Sequence, residues 1–213
     1  MADKRKPLII FGASGHAKVV IDIVERQQVY AIAGLADDNA SLRGTTLHGY
    51  SVIGNRTELL EEIPPQGEVF AIVAIGDNET RQSIASWLLA EGYSLGIAID
   101  PSAQLSPSAR VEAGSVVMPG CVLNADTAIG RNCIINTAAS VDHDCRVGEG
   151  VHIAPGARLC GGVSVGEGTL LGVGSVVIPG IRIGRKVIVG AGVSVMEDVP
   201  DSATVIGPRV QAD

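Results

Sequence analysis

Two rhythms of hydrophobic and polar positions divide the chain near Pro101. Before it, short apolar runs alternate with stretches of helical spacing. "PLIIF" (7–11) reads as a buried strand, and Gly15 to about Gln27 as a helix with Val19, Val20, Ile23 and Val24 on one face. "YAIAGLADDN" (30–39), "VFAIVAIG" (69–76) and "LGIAID" (95–100) read as further strands. "ETRQSIASWLLAEG" sets Ile84, Trp87, Leu88 and Glu91 at helical spacing, with Gly92 as the stop. Strands alternating with helices predict a small parallel sheet covered by helices, a Rossmann-like α/β domain over residues 1–101.

From Gln104 to Val199 the period becomes six. The segment divides into 16 consecutive units, among them VVMPGC, IINTAA, SVDHDC, HIAPGA and RIGRKV, and the second residue of every unit is Leu, Val or Ile. The sixth is small or β-branched in most, and glycine, asparagine or proline recurs between, where a chain must turn. An obligatory aliphatic position with this period predicts a parallel β-helix of hexapeptide repeats over residues 102–213. Three units make one triangular coil. The run therefore supplies about five coils at ~4.8 Å spacing, a prism roughly 25 Å long.

The register explains the cysteines. Cys121, Cys133 and Cys145 are twelve residues apart, two repeats, and each takes an inward sixth position. Buried small hydrophobes fit that spacing better than metal ligands do. Composition narrows the class further: 27 glycines with 3% aromatic residues suit a repetitive fold, and four cysteines suit a reducing compartment. A net charge of −7, with no basic run beyond "DKRK" at the start, argues against nucleic acid as a partner. No apolar run approaches the ~20 residues of a membrane span, and "KPLIIFGASGH" reaches glycine too soon for a signal peptide, so a cytoplasmic protein is expected.

Against this background certain residues break the pattern. Asp142-His143-Asp144 occupies a corner of the prism, with His143 fourth in its unit. Two readings fit it. Asp and His are ordinary turn residues, so the corner could simply face water; equally, a carboxylate on either side could orient the imidazole and raise its pKa, as a general base requires. The small residues "NTAAS" just before leave room for a reactant, and His152 is the one other histidine of the prism. Arg182, Arg185 and Lys186 form the densest basic cluster of an acidic prism, fit either for an anionic ligand such as coenzyme A or for a solvated corner. In the first domain, Gly12-Ala13-Ser14-Gly15-His16 follows a strand and opens a helix, where backbone N–H groups can hold phosphate. It lacks the full dinucleotide fingerprint. Asp37-Asp38 and Gly76-Asp77-Asn78 end the neighbouring strands on the same edge, so three loops converge on one small-ligand site.

With "IIFGASGHAKVV", "LADD", "AIGDNETR" and "NTAASVDHDC" followed by "VHIAPGA", the chain resembles the bacterial nucleotide-sugar and sialic-acid acetyltransferases of the left-handed β-helix class, from Pro7 to about Pro208. The resemblance implies a left-handed coil, homotrimers with a cleft between adjacent prisms, acetyl-CoA as co-substrate and no metal. It implies His143 as general base with Asp144 increasing its basicity, where many relatives carry glutamate. Gly12, Ser14, Gly15, His16, Asp37, Asp38 and Gly76 would meet the nucleotide sugar. His152, Val173 and Ala191 would meet acetyl-CoA. The ending "VIGPRVQAD" departs from the family's usual tail. The expected reaction is N-acetylation of a UDP-linked 4-amino-4,6-dideoxy sugar. O-acetylation of a sugar or sialic acid by the same machinery is the nearest alternative. A trimeric metal-dependent hydratase and a non-enzymatic sugar-nucleotide scaffold are the more distant ones.

Overall fold

The computed structural model describes residues 5–65 and 68–207; the start of "DKRK" and the tail from Pro208 lie outside them. The chain forms two compact units, Met1–Pro101 with Ala113–Val116, and Ser102–Glu112 with Val117–Asp213.

The first unit runs β1 (Lys6–Phe11), α1 (Gly15–Gln27), β2 (Tyr30–Ala36), β3 (Thr46–Leu47), β4 (Tyr50–Gly54), α2 (Arg56–Glu62), β5 (Phe70–Val73), α3 (Asn78–Glu91) and β6 (Ser94–Leu95). Its sheet has the order β3-β4-β2-β1-β5-β6 and is parallel apart from the β3–β4 hairpin. Leu8, Ile9, Ile10 and Phe11 of the central strand are all buried, which is why β1 reads as an unbroken apolar run. On one side Ile9, Phe11, Ala71 and Val73 pack with Leu59, Ile84 and Leu88.

The helices stop and start where their sequences dictate. Asn55 and Glu58 form a reciprocal capping box on α2, and the Asp77 side chain accepts the Thr80 N–H at the start of α3. Gly92, at φ 98°, closes α3 in the left-handed conformation. Three details depart from the sequence pattern. Ile21 is buried on α1 and Val19 only half-buried, because the helix face in contact is broader than a narrow stripe. Arg81, not Glu91, joins Ile84 and Leu88 in the buried face of α3. "LGIAID" is two short strands, because Gly96 donates to Ala71 at the end of the β5 pairing and the chain then leaves the sheet at Ala98–Ile99.

In the second unit each hexapeptide is a two-residue strand and a corner. From Gln104–Leu105 to Val176–Val177 each strand pairs in parallel with the one 18 residues later, as in Val122↔Ser140, Ser140↔Arg158 and Arg158↔Val176. Three faces result, and the coil is a left-handed parallel β-helix. Second-position residues such as Leu123, Ile135, Val141 and Leu159 point inward and are buried, and so are the sixth-position Cys121, Cys133 and Cys145. Those thiols are free, and the Cys121 sulfur donates to the carbonyls of Ile135 and Asn136. The fifth position takes a left-handed backbone through most of the prism, and glycine fills it most often. One further strand beyond the repeat, Thr204–Val205, pairs with Ile188–Val189.

Candidate active site

The topology of the α/β unit marks one place along the carboxyl edge of its sheet. β1 lies between β2 on one side and β5 on the other, so the chain reverses its direction of travel across the sheet at the β1/β5 boundary, and ligands of open parallel sheets bind beyond the carboxyl ends there. Gly12 sits at this point with φ 114°, and a β-carbon on it would come 2.7 Å from the Ala74 carbonyl oxygen; no other residue lets the two loops approach so closely. Gly15 and Gly76, by contrast, are exposed with open space where a side chain would be, so the protein's own packing does not require them to be bare.

Helix α1 begins at the same place. Ser14, its N-cap residue, makes no side-chain capping bond, and the first turn holds no acidic residue, which leaves the positive end of the helix uncompensated at this edge. Asp37 belongs to the scaffold of this edge: its two oxygens accept the Ala13 and Asn39 N–H groups, each at 2.8 Å. Asp38 accepts two bonds from Arg56 through one oxygen, and its other oxygen makes no hydrogen bond among the described residues. The Arg56 guanidinium also lies over the rings of Phe11 and Trp87. Arg81 is 1% exposed and donates to the carbonyls of Ile75 and Gly76 and to the Asn78 side chain. Burial, aided by the Arg81 charge, pulls the pKa of His16 down to about 4, so this histidine is neutral in the folded state near pH 7.

In the prism the Asp-His-Asp corner resolves into different roles for its two carboxylates. Asp142 accepts the His143 backbone N–H and the Asn124 side-chain amide, both through one oxygen, and these bonds hold its carboxyl below the usual range. Asp144 instead reaches the ring: its Oδ2 lies 2.8 Å from His143 Nδ1. A carboxylate only accepts, so Nδ1 carries the hydrogen and Nε2 the lone pair. Nε2 makes no hydrogen bond among the described residues, and the side chain is 60% exposed. The bond to Asp144, and next the charge of Asp142, raise the His143 pKa above its ordinary 6.5.

The remaining candidates of the prism stand at other corners. Val173 and Ala191 are 18 residues apart, in the column that also holds Thr137 and Pro155, and Val173 is exposed. His152 Nε2 contacts the Asn136 side-chain amide at 3.0 Å beside that column. Arg185 and Lys186 lie at the third corner, with the Arg185 N–H bonded to Asp201, while the Arg182 N–H is bonded to Asp198. A single prism thus does not gather His143, the Val173–Ala191 column and the basic cluster.

The chain is similar to known proteins over most of its length. Residues 7–88 match the PglD N-terminal domain, residues 126–161 the bacterial transferase hexapeptide (six repeats), and residues 162–197 the hexapeptide repeat of succinyl-transferase. PerB from Caulobacter crescentus, solved in complex with CoA and GDP-perosamine, is 45% identical, with 94% of each chain covered and a TM-score of 0.88. The chain belongs to the hexapeptide-repeat sugar acetyltransferases. The acetyltransferase domain of PglB from Neisseria gonorrhoeae, also solved with acetyl coenzyme A, is 36% identical over 94% of this chain and 96% of its own, at a TM-score of 0.85. WeeI from Acinetobacter baumannii is 28% identical over 95% and 97%, at 0.84.

Within this acetyltransferase some groups escape a reading of the sequence. Arg81 looks like a solvent-facing charge on α3, and Asn136 is hidden among small residues; only the fold brings the first to the Gly76 loop and the second to His152.

Proposed function

We propose that the enzyme moves the acetyl group of acetyl-CoA to the amino group of a nucleotide-linked amino sugar, with His143 as general base. The observation that carries this reading is the His143–Asp144 pair, which holds one ring nitrogen and leaves the other, basic one open to solvent. The amine lone pair attacks the thioester carbonyl carbon while Nε2 takes the amine proton, and Asp144 stabilises the imidazolium that forms. The tetrahedral oxyanion collapses, the carbon–sulfur bond breaks, and the thiolate of CoA leaves with a proton returned from Nε2. Direct attack needs no covalent acyl-enzyme.

The nucleotide sugar binds at the carboxyl edge of the parallel sheet, with its phosphates toward the Ser14–His16 amides and its base toward Asp37 and Asp38. His152, Val173 and Ala191 contact acetyl-CoA, and Arg182, Arg185 and Lys186 attract its phosphates. Since these groups stand at separate corners of one prism, a homotrimer, in which corners of neighbouring prisms face one another, is the assembly that would unite them. The acceptor is a 4-amino-4,6-dideoxy sugar. UDP is the nucleotide expected from the sequence, whereas the likeness to PerB, a protein bound to GDP-perosamine, favours GDP.

Release of the CoA thiol, followed across UDP- and GDP-linked 4-amino sugars and free sialic acid, separates these acceptors. Turnover with sialic acid and not with the amino sugars would replace the reading with O-acetylation. His143→Ala is expected to lose most turnover while keeping the fold and mass of the wild-type assembly; near-normal turnover would overturn the mechanism.

A further inference from the structure

His143 occupies the fourth position of its hexapeptide, and one coil later, 18 residues on, the same column holds Gly161. Of the 16 fourth positions in the repeat, 161 alone is glycine; the others hold proline, alanine, threonine, valine, arginine, glutamate or His143 itself. The repeat therefore does not ask for glycine there. The backbone does not ask for it either, because within the repeat positive φ falls at the fifth positions and Gly161 is not among them.

What fills the space is the imidazole. A β-carbon placed on Gly161 would fall 2.5 Å from Nε2, 2.6 Å from Cε1 and 3.2 Å from Cδ2 of His143, and these ring atoms are its three nearest neighbours. Real β-carbons do not approach other atoms so closely. The ring thus lies in the volume that any side chain at 161 would take. Around it the corner is fixed on three sides: the Asp144 carboxylate holds Nδ1, the Asp142 carboxylate holds the His143 N–H, and the Gly162 N–H is donated to the His143 carbonyl.

We propose that Gly161 is a positioning residue for catalysis, its missing side chain forming the seat that holds the His143 imidazole with Nε2 aimed at the acceptor. The inference rests on His143 being the general base. An exposed ring has room to swing away from an added methyl, so the fold tolerates alanine at 161. The ring, however, must leave its rotamer, and the Nδ1 bond to Asp144 goes with it. A base displaced by about an ångström loses on the order of 10²-fold in rate.

The test compares Gly161→Ala with His143→Ala and with Glu167→Ala, a substitution at the next fourth position along the chain. Gly161→Ala is expected to keep the wild-type melting temperature and to lower kcat by about 10²-fold, with KM for both substrates changed less than about twofold. Its pH–rate profile should lose the raised acidic limb, and the titration of the His143 ring by NMR should move down toward 6.5; a merely structural role would shift neither. Glu167→Ala should behave as wild type. If His143→Ala is inactive while Gly161→Ala matches wild type in kcat and in ring titration, the seat is refuted and the base stands. If His143→Ala retains turnover, the base itself is refuted and the seat with it. A Gly161→Ala protein that fails to fold would also overturn the proposal, since it would mean that more than the imidazole fills that space.

Discussion

Nδ1 of His143 and Oδ2 of Asp144 are bonded at 2.8 Å although the two residues are adjacent in the chain. In an extended strand neighbouring side chains diverge, and here they converge because Asp144 holds the left-handed fifth position, at φ 60°. Glycine takes that position in most other units, and aspartate is among the few residues that tolerate it. The unit accepts a less favourable backbone, and the carboxylate is thereby folded against the ring.

With His143 as the proposed base, the pair sets the expected pH dependence of turnover. In the proposed mechanism the base acts in its neutral form, so activity falls as pH drops through the His143 pKa, and that pKa lies above 6.5 chiefly through the bond to Asp144. Asp144→Asn is expected to move the acidic limb of kcat/KM down toward 6.5 and to lower the plateau about tenfold or more, as a less basic, less oriented imidazole takes the proton. Steady-state rates between pH 5 and 9 check both effects. A limb that stays in place would show that Asp144 does not tune the base.

His16, whose pKa is shifted the other way, gives a second pH effect, this one on stability. Its folded pKa is about 4 and its unfolded value about 6.5, so between those values the unfolded chain binds the extra proton. The stability is fully present above pH 6.5 and is lost as pH falls toward 4, by about 3 kcal/mol in all. Urea unfolding of wild type and His16→Gln across this window should give curves that converge toward acid pH, with the variant lacking the His16 component.

Much of this is legible in the sequence. The second-position aliphatics give the prism its register, and the register marks His143 as an intruder at a corner, because a period of six fixes which positions face inward. The choice between Asp142 and Asp144 is not legible, since both flank the histidine; it depends on which of the two backbones is left-handed. Arg81 is hidden for another reason. Helical spacing carries no sign of a charged residue that turns inward to hold carbonyls of its own N-terminal loop. Gly161 is one of 27 glycines, and its meaning depends on what stands 18 residues before it.

Arg81 should therefore matter to binding as well as to folding. Its guanidinium ties down the carbonyls of Ile75 and Gly76, in the loop that follows β5 at the carboxyl edge of the sheet. Arg81→Met would leave buried acceptors unmade, at a cost of about 2–3 kcal/mol, and would free the Gly76 loop. The expected result is a several-fold higher KM for the nucleotide sugar with KM for acetyl-CoA unchanged. An equal loss for both substrates, or none, would remove the loop from the binding site.

Gly166 offers the converse of Gly161, since here it is backbone that leaves no room. A β-carbon at 166 would lie 2.5 Å from the Gly184 carbonyl carbon and 2.6 Å from the Arg185 nitrogen, on the coil stacked next to it. Those atoms belong to a chain tied to its neighbour coils by ladder bonds, including Gly166 N–H to the Ile183 carbonyl at 2.8 Å, so they cannot turn aside as an imidazole can. Relief requires the coils to spread, which breaks that ladder locally. Gly166→Ala is expected to cost about 2–4 kcal/mol and to lower the melting temperature by about 5–10 °C, with kcat of the folded fraction little changed. A Gly166→Ala protein as stable as wild type would show that stacked coils yield to a methyl group, and would remove the contrast between a glycine kept for the fold and one proposed to seat the His143 ring.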